Sequence, residues 1–129
     1  MIRFAVTLSV DEAAEKLIAA IVAYPMGLVA HVNGQANCAK KGMAVPADQI
    51  LEVFRPDYAV RVWADEKAAG IDMPLRIHLY EARGRSWVAH RPASEVFKPY
   101  VNPQLDALSC ELDVIFNQLL ATLDPWKLP

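Results

Sequence analysis

The sequence predicts an α+β domain: a two-layer α/β sandwich of about five strands, with three main helices on one face and one antiparallel hairpin. Three observations lead there. Apolar residues recur with a period of two in some segments and of 3.6 in others, all within 129 residues, which suits one domain spanning 1–129. The tetrad Ala82-Arg83-Gly84-Arg85 joins two alternating segments through a tight turn, so at least one strand pair is antiparallel and a doubly wound parallel sheet is disfavoured. Finally, Leu105, Leu108, Leu112, Ile115, Phe116, Leu119, Leu120 and Leu123 form one apolar stripe on a last helix, and a sheet face is the natural cover for it.

Each element has a local cause. Ile2, Phe4, Val6 and Leu8 alternate with Arg3, Ala5 and Thr7, the signature of a half-buried strand. Ser9 followed three residues later by Glu12 is a capping box that opens a helix, whose stripe is Val10, Ala13, Ala14, Leu17, Ile18, Ile21 and Val22. Pro25 ends it. Leu28 to Val32 reads as a short strand, and Gln35 to Lys41 as about two helical turns stopped by Gly42. Gln49 to Phe54, apolar except for Glu52, suits a more central strand. A second main helix follows, with Asp57 as expected N-cap and Ala59, Val60, Trp63 and Ala64 as its apolar face.

Pro74 to Glu81 alternates most regularly, with Leu75, Ile77 and Leu79 against Arg76, His78 and Tyr80, and Ser86 to Arg91 is the returning strand. A two-residue loop at Arg83-Gly84 sets Leu79 against Val88 and His78 against Ala89. A three-residue loop centred on Gly84 sets His78 against His90. The first keeps two large apolar residues together and is preferred. One helical turn at Ala93 to Phe97 precedes Asn102-Pro103, a cap followed by proline at the first helical position. Trp126, in the tail, either packs back or meets a partner.

Composition excludes several functions. With 54% hydrophobic and 22% charged residues the chain has material for a core. Thirteen basic against fifteen acidic residues give a net charge of −2, far from the basic excess of a nucleic-acid binder. No apolar run is long enough to span a bilayer and no secretory leader is expected. Two cysteines, Cys38 and Cys110, form no disulfide framework and fit a cytoplasmic location.

The run Gly70-Ile71-Asp72-Met73-Pro74-Leu75-Arg76-Ile77-His78-Leu79-Tyr80-Glu81, then the turn and Ser86-Trp87-Val88, resembles the bacterial and archaeal family called domain of unknown function 302. His31 and the Gln35–Gly42 stretch resemble that family's loop before its middle strand. The likeness extends over nearly the whole chain. Phe54-Arg55-Pro56 stands where many relatives carry Asn-Pro, and Ala30 precedes His31 where relatives carry aspartate. The resemblance implies a compact two-layer domain, often a homodimer, with no settled activity.

The candidate site follows from strand parity. If Leu75, Ile77 and Leu79 face the helices, then Arg76, His78 and Tyr80 project from the opposite face, and Arg3, Thr7, His31 and Glu52 join them if their strands sit in register. Such a surface suits a small anionic or aromatic ligand, so the expected activity is small-ligand binding or sensing, without an assigned catalytic residue or cofactor. A solvated face or a subunit contact is the plainer reading of the same residues. Haem or metal binding would draw on His31, Cys38, Met43, His78 and His90, but none has the short spacing of a metal motif. An interaction module would use the open sheet face or the last helix. An enzyme would need more: there is no nucleophile elbow and no glycine-rich phosphate loop, and Glu52 with His78 is the one acid–base pair suggested. Trp63 is expected in the core, and Cys110 at its border. Either Trp87 or Val88 must face away from the helices.

Overall fold

The structure, a computed structural model, describes residues 1–123. Its elements are strand β1 (Ile2–Val6), helix α1 (Val10–Ala23), β2 (Gly27–Asn33), α2 (Gly34–Ala39), β3 (Asp48–Phe54), α3 (Pro56–Asp65), a 3-10 segment at Lys67–Asp72, β4 (Leu75–Ala82), β5 (Arg85–His90), the single turn α4 (Ala93–Val96), a 3-10 turn at Lys98–Tyr100 and α5 (Pro103–Ala121). Trp126 lies outside the described residues.

The five strands form one sheet in the order β1-β5-β4-β3-β2, with every neighbouring pair antiparallel. Consecutive strands β2 to β5 pair in series, whereas β1 and β2 occupy opposite edges. Helix α1 therefore has to cross the sheet to connect them, and it packs against β2, β3 and β4 on the way. Its start is the expected capping box: Glu12 N–H donates to Ser9 Oγ at 3.1 Å, and Ser9 N–H donates to Glu12 Oε1 at 3.0 Å.

One face of the sheet takes all three main helices. Leu51, Val53, Ile77, Leu79 and Val88 from the strands share a single core with Leu17 and Ile21 of α1, Tyr58 and Val62 of α3, and Leu105, Leu112 and Phe116 of α5. Helix α5 is capped by Asn102, whose Oδ1 accepts from the N–H groups of Gln104 and Leu105. Its expected stripe is buried throughout except for Ile115, which is half-buried. No helix among the described residues is long and apolar enough to cross a membrane.

The hairpin adopts the two-residue turn. Arg83 and Gly84 both have positive φ, at 55° and 71°, which matches the twist of the flanking strands, and Leu79 pairs with Val88. Val88 enters the core and Trp87 goes to the other face, where its indole N–H donates to the Ala82 carbonyl.

Four local expectations are corrected. Asp57 is not the cap of α3: Arg55 is, Pro56 takes the first helical position, and Asp57 binds the Arg55 guanidinium at 2.6 Å and 3.0 Å. The buried face of α3 is Tyr58 and Val62, so Val60 and Trp63 are exposed rather than in the core. Two apolar stripes compete on this helix, and periodicity cannot rank them. Val22 lies on the solvent side of α1, beside the buried Ile21. Cys110 is exposed on α5.

Candidate functional site

The face of the sheet away from the helices carries the candidate site, and cross-strand pairing arranges it in rows. Ala5, Trp87, Tyr80 and Asp48 form one row. Arg3, Ala89, His78, Ile50 and Val32 form the next, and Arg76, Glu52 and Ala30 a third. Four of the five expected site residues are thus together on one surface: Arg76, His78, Tyr80 and Glu52.

His31 is not with them. Strand β2 pairs Ala30 with Glu52 and His31 with Leu51, so His31 belongs to the helix side of the sheet. Its Nε2–H donates to Gln49 Oε1 at 2.6 Å, and Gln49 Nε2 donates in turn to Asp11 Oδ1 of α1 at 2.6 Å. This chain of bonds ties the edge strand to the crossing helix. The register of β2, which includes a bulge between Leu28 and Ala30, decides the parity.

The expected pairing of Glu52 with His78 is also replaced. Glu52 stands directly across from Arg76, with Nε to Oε1 at 3.6 Å, and His78 pairs diagonally with Asp48. The Tyr80 ring stacks on the imidazole of His78, with centroids 4.6 Å apart. Asp48 was legible by parity with Ile50 and Glu52, but it sits just before the apolar run that defines the strand.

Beside this network lies a cavity of about 400 Å³ where β4 begins and β5 ends. Arg3, Arg76, Arg91 and His78 line it, together with Met1, Ile71, Met73 and Val96. Ala89 lies between Arg3 and His78 in the same row, and its single methyl keeps the floor low. Neither Arg3 nor Arg91 forms a salt bridge among the described residues, and the Arg76 side chain is 69% exposed despite Glu52. Asp72, also on the lining, accepts from the Tyr100 hydroxyl at 2.5 Å, and that bond raises the phenol above its ordinary pKa. The loop after α4 is therefore pinned to the cavity's rim. Tyr80 faces a smaller concavity with Arg3, Arg83 and Trp87, and Glu52 and His31 do not line the main cavity. Arg91 was legible by parity with Trp87 and Ala89, at the last position of the expected returning strand, and in the structure it lies just past the end of β5.

His90 points the other way, into the core. Its Nδ1–H donates to the Arg76 carbonyl at 2.8 Å, its ring stacks on Phe116 at 4.8 Å, and its Nε2 has no partner among the described residues. Burial holds it below the ordinary histidine pKa. Among the described residues no three His, Cys, Asp or Glu side chains gather as a metal-ligand set.

Residues 2–123 match the family model described as Domain of unknown function DUF302. The chain belongs to this family. A crystal structure of an uncharacterised conserved DUF302 protein from Bacillus stearothermophilus shares the fold, with a TM-score of 0.80 over 95% of this chain and 94% of that one, at 20% identity. No curated protein shows significant similarity to the chain. In this DUF302 domain the Gly70–Glu81 segment runs along the cavity and into β4, supplying Met73, Pro74, Arg76 and His78 to its lining.

Proposed function

We propose that this DUF302 domain binds a small anionic ligand on the open face of its sheet, in the cavity between Arg3, Arg76, Arg91 and His78. The convergence of three guanidinium groups on one concavity carries the reading, with two of them free of carboxylate partners among the described residues. Arginine suits this task because its planar fork of donors matches a carboxylate or phosphate. His78, held in place by Asp48 and Tyr80, offers a further polar contact at the rim. A thermal-shift series with carboxylates and phosphate esters tests it. Stabilisation that saturates with ligand and disappears in Arg3→Ala/Arg91→Ala and in His78→Ala is expected. A flat response across the series removes the proposal.

A second reading, self-association, is favoured by edge strand β2, whose Leu28, Val29 and Val32 are exposed beside a strand edge left unpaired among the described residues. Pro and Lys, which commonly protect such edges, are absent from β2. Light scattering tests it: a species at twice 14.3 kDa that reverts to 14.3 kDa in Val32→Lys supports the dimer. A 14.3 kDa species in the unsubstituted protein removes it.

A further inference from the structure

A second concavity of about 390 Å³ opens where the ends of β3 and β4 meet α3. Its chemistry differs from that of the arginine cavity. Val29, Phe54, Ala59, Val60 and Trp63 supply its walls, and Arg55 is its one charged lining residue among the described residues. That charge is already spent: the guanidinium donates to both carboxylate oxygens of Asp57 and to the Pro25 carbonyl at 2.6 Å. The groove therefore suits an uncharged, apolar group. It also explains the displaced stripe of α3, since Ala59, Val60 and Trp63 form its wall while Tyr58 and Val62 enter the core.

The wall is held in place. The Trp63 indole lies against Gly70, where an added Cβ would come within 3.0 Å of Nε1, and Lys67 Nζ sits 4.8 Å from the ring centroid. A side chain at position 70 would push the indole back by a few tenths of an ångström, which gives the glycine of the family segment a physical role here.

Met73 and Pro74 line both concavities. We infer that the two are subsites for one amphipathic anion: its carboxylate on Arg3, Arg76 and Arg91, and its hydrocarbon tail laid across Met73 and Pro74 against Val60 and Trp63. The inference rests on the anion-binding reading and adds the chemical class, a carboxylate carrying an apolar chain. Charge complementarity carries it, because unpaired guanidinium groups stand on one side of a shared wall and a neutral apolar groove on the other. Methionine is suited to that wall, since its unbranched thioether adapts to variable chains.

Titration calorimetry with acetate, hexanoate, octanoate and decanoate, below micelle formation, tests it. Affinity should rise by about four-fold per added methylene, the factor expected for burying each group. Val60→Asp, at an exposed position, should flatten the dependence on chain length. Arg3→Ala/Arg91→Ala should weaken every member by a common factor. Equal affinity for all four acids would overturn the tail subsite and leave the anion site standing. A chain-length dependence that survives Val60→Asp would also overturn it, by placing the tail elsewhere. Binding of none of the four would overturn the inference too, while the phosphate esters of the thermal-shift series still decide the anion site.

Discussion

The Nε2 of His78 lies 3.1 Å from both carboxylate oxygens of Asp48, one row away across β3 and β4. A ring N–H that donates to a carboxylate decides which nitrogen carries the proton whenever the ring is neutral. The stacked Tyr80 ring limits rotation of the imidazole on its other side. His78 is therefore a group held in one orientation at the edge of the arginine cavity.

This gives a first prediction. Long-range proton–nitrogen correlation spectra should show neutral His78 protonated at Nε2. Asp48→Ala should convert it to a mixture of tautomers with little change in stability, because the pair is substantially solvent-exposed. An unchanged tautomer in Asp48→Ala would show that the carboxylate does not orient the ring.

The second prediction concerns His90. Its folded-state pKa lies below the ordinary 6.5, chiefly because burial disfavours the charged ring. The unfolded chain then binds a proton near pH 6.5 that the folded chain refuses. Stability is unaffected by this group above that value and falls as pH drops from 6.5 toward the folded-state pKa. The loss reaches at most about 1.4 kcal/mol per pH unit. The carboxylates of Asp113 and Glu95 offset part of the effect and the N-terminal amine adds to it. Urea unfolding at pH 7 and pH 5 should show a smaller loss in His90→Asn, which cannot titrate and whose amide nitrogen stands where the ring Nδ1 donates to the Arg76 carbonyl. Parallel losses in the two proteins would contradict this assignment.

A third prediction separates the two stripes of α3. Val62 is buried and Val60 is 59% exposed. Val62→Ala should cost about 2 kcal/mol through lost burial and the space left behind. Val60→Ala should stay within about 0.5 kcal/mol of the parent. Denaturant midpoints at constant slope measure both, and the reverse order would return the helix to the orientation that its apolar spacing suggests.

The sequence by itself determined the elements whose causes are local. The Ser9–Glu12 box, the Asn102-Pro103 start and the Arg83-Gly84 turn each act within a few residues, and all three appear where the sequence places them. Alternation along β4 similarly put Arg76, His78 and Tyr80 on one face. Tertiary structure decided everything that depends on register or on competition between faces. The pairing of β2 with β3 sent His31 to the helix side, and the diagonal between β3 and β4 gave His78 to Asp48 instead of Glu52. Packing of α3 selected Tyr58 and Val62 and turned Trp63 outward. The physical reason is common to all of these. A side chain's period tells which neighbours it shares a face with along its own strand or helix, while its partners across the sheet are set by long-range pairing that no short window of sequence contains.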